Sequence, residues 1–284
     1  MTLRKVNHVA GFTLLRIAAV LVLAALTFIL FDIFSKGWGV ISWEFLTDKP
    51  RKGMTEGGIF PIIVGTFYVS LITIIFAVPL GMFAAIFLNE YAKQSRATRI
   101  IRLAIRNLSG VPSIVFGLFG VALFVKMFAF GTCVLSAGLT LGLLTLPWTI
   151  TASEEALKTV PMSYREGALA LGATKWQAIR TNVLPYAVPG MLTGTILGLA
   201  RAAGETAPIL FTGAAFFWPF LPKLFSQFMA LPYHIFIMST QHHEIVKVRP
   251  IAYGTALVLI VLVLFLNGLA VWIRYRFRKK YRRA

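Results

Sequence analysis

Two charged residues sit where charge is costly. Arg201 and Glu205 fall inside LARAAGETAPILFTG, residues 199–213, which is otherwise mostly apolar. Four residues apart on a helix, they share a face and can pair. A charge within an apolar span usually faces a bundle interior or an aqueous path. The pair therefore fits a structural lock between helices, and equally the lining of a path for an anion. If the two pair, the local charge is near zero, and an anion would need Arg201 partly released or another donor. Thr206 and Thr212 offer hydroxyls, although hydroxyls in spans often bond only their own backbone.

A second cluster lies at 153–185, SEEALKTVPMSYREGALALGATKWQAIRTNVLP. Pro161 stops the helix that enters it. Ser163 and Glu166 have the S-x-x-E spacing of a capping box, which predicts a helix starting there. Gly172 breaks that helix, Thr174 and Gln177 repeat the capping spacing, and Pro185 marks entry to the next apolar block. The expected result is two short helices joined at a glycine hinge. A rigid projection of this kind can pass a push from a partner to the helices on either side. A structured connector is the plainer reading of the same pattern.

These residues must be positioned by helices in a membrane. The 284 residues are 58% hydrophobic and 13% charged, with mean hydropathy +0.79. The apolar residues fall in six long blocks, near 12–34, 59–88, 108–129, 132–152, 186–213 and 251–273. A span needs about 20 mainly apolar residues. The chain is thus expected to be an all-α polytopic membrane protein with six transmembrane helices. The first block is too long for a signal-peptide core and reads as a retained span. Residues 1–58 form the first span and an outer loop, and 59–284 form the core that contains the 153–185 loop.

The formal net charge is +18. With the N-terminus inside and six crossings, the inside segments carry 19 of the 28 Lys and Arg and the outside segments 7. That bias places both termini in the cytoplasm. The basic C-terminal run RYRFRKKYRR is then a membrane-surface anchor. Nucleic-acid binding is excluded, because it calls for a basic face on a folded domain. Residues 35–58 suggest an ordered polar outer loop, and Phe130 and Gly131 a tight hairpin. The aromatic, proline-broken stretch 214–250 suggests a segment on the outer interface or dipping into the membrane. Cys133 reads as a small buried hydrophobe. No G-x-x-x-x-G-K-[ST] occurs, so no P-loop ATP hydrolysis is expected. His242-His243-Glu244 lacks zinc-enzyme spacing, and no metal or catalytic residues are expected.

The 153–185 stretch resembles the EAA loop of bacterial ABC importer permeases. The matching residues are Glu166-Gly167-Ala168, Gly172-Ala173 and Leu184-Pro185. Gly167 and Asn182 depart from the pattern, the first replacing an alanine and the second a hydrophobic residue. The block containing R-x-x-G-E-T, residues 201–206, resembles the permeases of the phosphate-specific importer, PstA and PstC, and its extension E-T-A-P-I-L-F-T-G resembles PstA more closely. PLGMFAAIFLNEYA at 79–92, SGVPSIVFGLFG at 109–120 and MALPYHIFIMST at 229–240 extend the likeness. The resemblance implies a type I importer permease of MetI-like architecture in the bacterial inner membrane. It implies that Ser163, Glu166, Gly167, Ala168, Gly172 and Ala173 meet an ATPase. Arg201, Glu205 and Thr206 are the path candidates for inorganic phosphate. The implied partners are a PstC-like permease, a PstB-like ATPase dimer that uses ATP and Mg, and a PstS-like phosphate-binding protein. The chain itself would be a transport subunit, not an enzyme. Two alternatives remain open: a permease for another oxyanion, and a carrier or channel that acts without ATP.

Overall fold

The computed structural model describes residues 3–281, with side chains from residue 11 onward except at 278, 280 and 281. Of the expected terminal charges, Arg282 and Arg283 lie outside the described residues, as do the side chains of Arg4, Lys5, Arg278 and Lys280.

Helix α1 (Leu3–Gly37) leads into an outer segment holding α2 (Trp43–Thr47) and a small antiparallel ribbon, β1 (Pro50–Arg51) with β2 (Glu56–Gly57). Helix α3 (Phe60–Ile86) continues as a π turn to Tyr91. Next come α4 (Arg96–Leu108), then α5 (Ser113–Gly120), which continues as a π turn to Met127. Helix α6 (Val134–Lys158) enters the loop made of α7 (Ser163–Ala170) and α8 (Lys175–Ala178). A π turn over Ile179–Val183 joins α8 to α9 (Leu184–Ala203). Short α10 (Ala207–Thr212) and α11 (Leu231–Thr240) precede α12 (Ile245–Tyr281).

Among the described residues, five helical stretches are long and apolar enough to cross a membrane, and the bent pair α4–α5 makes a sixth when counted as one span. That third block departs from the expected continuous helix over 108–129. The chain turns by 104° between Leu108 and Ser113. Pro112 disfavours helical backbone at Val111, and four arginines on α4 oppose burial in hydrocarbon. Only Ser113–Met127 is left to cross, roughly 22 Å of helix against a core of about 30 Å.

The fifth block also breaks. Helix α9 ends at Ala203, residues Gly204–Thr206 are irregular, and α10 starts anew at Ala207. Pro208 follows directly, and proline cannot join an uninterrupted helix without losing a backbone bond.

Two apolar cores lie at opposite ends of the bundle. The outer core gathers Phe45, Met54 and Ile59 of the outer segment with Phe228, Met229, Leu231 and Ile237 around α11. The other core packs Ile86, Leu157, Val160, Ile179, Val183 and Met191 beside the 153–185 loop. The outer loop expected to be polar is thus anchored by buried apolar residues.

Of the 214–240 stretch, residues 228–238 are built into the outer core, while Phe216, Phe217, Phe220 and Phe225 stay exposed. The first turn of α6 has free N–H groups, and this stretch takes two of them: Val134 donates to Ser226 O at 3.1 Å and Leu135 to Leu224 O at 3.0 Å, while Cys133 donates to Thr212 O at the end of α10 at 3.1 Å. The Thr66 hydroxyl accepts from Leu231 N–H at 2.8 Å and donates to Ile62 O at 2.9 Å, pinning the start of α11 to α3. His242 Nε2 donates to Gly53 O at 2.9 Å while Nδ1 accepts from Glu244 N–H at 3.1 Å. One imidazole thereby ties the outer loop to the entry of α12. Cys133 is buried and also caps α6, its Sγ accepting from Ser136 N–H at 3.5 Å.

Candidate functional site

The helices on either side of the 153–185 loop pack through small residues. Gly190 of α9 sits against Ala156 of α6, and Gly194 against Ala152. These two pairs at four-residue spacing let the backbones approach closely. A Cβ at Gly194 would overlap that of Ala152. Helices α6 and α9 are therefore in direct contact.

Within the loop, α7 ends in a fully formed Schellman turn. Ala173 N–H donates to Ala168 O at 3.1 Å, and Gly172 N–H to Leu169 O at 3.0 Å. Gly172 has φ +84°, a left-handed backbone favoured only in glycine. The expected glycine hinge is thus a locked turn, and the spacing of Ala168, Gly172 and Ala173 is the spacing of its hydrogen bonds. Thr174 and Gln177 form the expected reciprocal capping box on α8.

The corresponding box on α7 does not form. Ser163 is already the first helical residue, because Met162 before it has helical backbone. Arg165 and Glu166 N–H instead donate to Met162 O at 2.9 and 3.1 Å. Glu166 is exposed, and no side-chain hydrogen bond or ion pair engages it among the described residues. Gly167 is open on its Cβ side, so its departure from the motif costs no contact. Asn182, the other departure, is half-buried in the π turn before α9.

Residues not singled out from sequence strap this loop down. Arg165 pairs with Glu90 at the end of the α3 span at 2.6 Å, with side chains only 13% and 5% exposed. The same guanidinium donates to Val160 O at 2.8 Å and Leu157 O at 3.1 Å. Arg102 of α4 lies 2.6 Å from Glu154 of α6 and donates to Leu88 O at 2.8 Å. Tyr164 meets Tyr186 edge-on with centroids 4.6 Å apart. Spacing alone carries no signal for partners 75 residues apart. Beyond these straps, Leu171 stands 90% exposed at the tip, with Met162, Leu169 and Trp176 also exposed.

Arg201 and Glu205 do meet, Nε to Oε1 at 3.4 Å, but not along one continuous helix face. Glu205 lies beyond the end of α9, in the break. Arg201 stays 52% exposed and Glu205 17%. The guanidinium also lies over the Trp148 ring, 5.4 Å from its centroid. Trp148 is itself partly exposed, as is Leu197 one turn before Arg201. Thr206 is half-buried beside the break. Thr212 is buried and donates to Pro208 O at 2.8 Å, so its hydroxyl serves its own backbone. Arg201 and Trp148 thus present a cation and an aromatic ring on an exposed face among the described residues, with Glu205 mostly buried beside them.

Residues 77–283 match the family of binding-protein-dependent transport system inner membrane components. The chain belongs to that family. It is 32% identical to the probable ABC transporter permease protein YqgI of Bacillus subtilis over 98% of both chains. It is 36% identical to the phosphate transport system permease protein PstA of Yersinia pestis, over 93% of this chain and 90% of that one. The corresponding identity is 32% to PstA 1 of Mycobacterium tuberculosis (strain H37Rv), over 96% and 89%. In three dimensions it is similar to the inward-facing MetNI methionine ABC transporter, with TM-score 0.58 and 17% identity over 78% of this chain and 94% of that one. A bacterial ABC transporter that imports the acidic polysaccharide alginate gives TM-score 0.53 and 14% identity, covering 84% and 82%. The chain is therefore an ABC importer permease subunit of the inner membrane, with MetI-like architecture. This family works with an ATPase and a substrate-binding protein.

Proposed function

We propose that this chain is the PstA-like half of an inorganic phosphate importer. Its partners would be a PstC-like permease, a PstB-like ATPase dimer and a PstS-like external binding protein. Both termini would lie in the cytoplasm, on the side of the 153–185 loop. ATP and Mg belong to the partner ATPase, and this chain performs no hydrolysis.

The observation that carries the reading is Arg201. Its side chain is more than half exposed on α9, with Trp148 and Glu205 beside its guanidinium. A second permease against that face would close a path lined by Arg201, Trp148, Glu205 and Thr206. The contact to Glu205 runs through Nε and is long at 3.4 Å, so a phosphate oxygen can be met without first breaking a short ion pair. Attraction of this partial kind suits transit, since tight binding would block release. The curated PstA relatives support phosphate as the solute.

Coupling would run through Glu166 and the apolar tip around Leu171. The Schellman turn and the Arg165–Glu90 strap make the loop stiff, and the small-residue contact between α6 and α9 carries its motion into the bundle.

The test is ATPase activity of the reconstituted complex with each external binding protein supplied in turn. Phosphate should stimulate it, and sulfate, molybdate and phosphonate should not. Replacing Arg201 by Gln should lower phosphate uptake at least tenfold while the complex still assembles, in line with losing a charge-assisted contact of about 1.5–3 kcal/mol. Equal stimulation by another oxyanion would assign the permease to that solute. Uptake without the ATPase would point to a carrier.

A further inference from the structure

Helix α4 is unlike the other long helices. It opens at Ser95, whose Oγ accepts from Thr98 N–H at 3.2 Å, and it carries Arg96, Arg99, Arg102 and Arg106. At 100° per residue, Arg99 and Arg106 lie within about 20° of each other. Ile101, Ile105 and Leu108 fall on the opposite side. Ile101 and Leu108 are exposed on that side, whereas the exposed Ile100 and Leu103 fall beside the arginines. A basic face set against an apolar one is the pattern of a helix lying in a membrane interface.

The 104° turn after α4 places it directly between two spans, at the end of the bundle that holds the 153–185 loop. Arg102 points inward to Glu154 and Leu88. Arg96, Arg99 and Arg106 are exposed and have no carboxylate partner among the described residues. Under the elbow is an apolar cleft of about 450 Å³ between α4, α5 and α6, lined by Ile105, Leu108, Val115, Phe119, Leu146 and Ile150 among others. Val115 and Phe119 remain about half exposed.

We infer that the α4–α5 elbow is a binding site for an anionic phospholipid, with an acyl chain in this cleft and the headgroup phosphate on Arg99 and Arg106. Charge selects the occupant. A helix of this pattern lies where acyl chains meet headgroups, and clustered arginines on such a helix favour anionic lipid. A zwitterionic lipid can fill the cleft but gains less from the arginines. A water-soluble partner would leave the apolar face without cover. Because Arg102 fixes α4 to α6, the seated lipid also braces the shortened third span against the helix that enters the loop.

The test is native mass spectrometry of the assembled transporter, supplied with phosphatidylglycerol and phosphatidylcholine of matched chains. The wild type should retain phosphatidylglycerol with a preference of at least about tenfold. The double variant Arg99→Gln/Arg106→Gln should bring the two near parity, and Arg99→Lys/Arg106→Lys should keep the preference. Phosphatidylglycerol with a photoactivatable acyl chain should crosslink to Phe119 or Leu146 in the wild type, a readout that requires no variant to fold. Equal retention of the two lipids would overturn the site. So would an unchanged preference in the glutamine variant, or crosslinks confined to other helices. Displacement by excess inorganic phosphate would overturn it in favour of a free-anion site, and failure of the assembled transporter to retain either lipid would overturn it in favour of a protein interface.

Discussion

At Gly172 the constraint is the backbone itself. Its φ of +84° and its N–H bond to Leu169 O are both required by the turn. Gly172→Ala should destabilise the loop by about 1–2 kcal/mol. Gly172→Pro should do more, since proline fixes φ near −65° and removes the N–H. Limited proteolysis at 170–175 would register both changes, as would the phosphate-stimulated ATPase activity proposed for the assembled complex. Gly167→Ala should cost nothing and add up to about 1 kcal/mol, because no neighbour meets the new methyl and helix propensity improves. The Glu90–Arg165 pair behaves differently. Glu90→Gln leaves a guanidinium buried without its counter-charge, which typically costs about 3–5 kcal/mol, and the melting temperature of the purified protein should fall. If that variant melted like wild type, the strap would have no structural weight.

Among the elements, the α6–α9 contact sets the tolerance for change. Gly194→Val would force the two helices apart at Ala152, and overpacking of this kind costs about 1–3 kcal/mol. Loss of coupling in a still-assembled complex is the expected reading. Much of this architecture was legible in the residues. The Thr174–Gln177 box, the tight turn near Gly131 and the stop at Gly172 are local patterns, and local hydrogen bonds satisfy them. The Ser163–Glu166 box was not to be had from spacing, because helical backbone at Met162 moves the hydroxyl out of the capping position. The third block misled for another reason: its apolar start is the end of an amphipathic helix, and hydropathy does not register a 104° turn. The seat of α11 rests on the Thr66 hydroxyl, 165 residues from Leu231, and no periodicity reports such a contact.

For the whole molecule, the outer cap has a pH signature. His234 is buried on α11, outside the spans, with Nδ1 3.2 Å from Thr255 Oγ1. Burial, with nearby His242 adding to it, pushes its pKa down to about 3. The unfolded state, with a histidine pKa near 6.5, binds the proton more readily. Stability from this group is therefore fully present above about pH 6.5 and is lost as pH falls from there toward 3. His234→Gln should flatten the decline of melting temperature across that window. An unchanged slope would place the acid sensitivity elsewhere. The two separate cores carry a consequence for local opening. Amide hydrogens are released in cooperative units that follow contiguous packed structure. Here the amides of α11 and the start of α6 should exchange with deuterium as one cooperative unit, and those flanking the loop as another. An ATPase bound at the loop should slow the second unit first, so the two ends of this bundle can be timed independently by their own hydrogens.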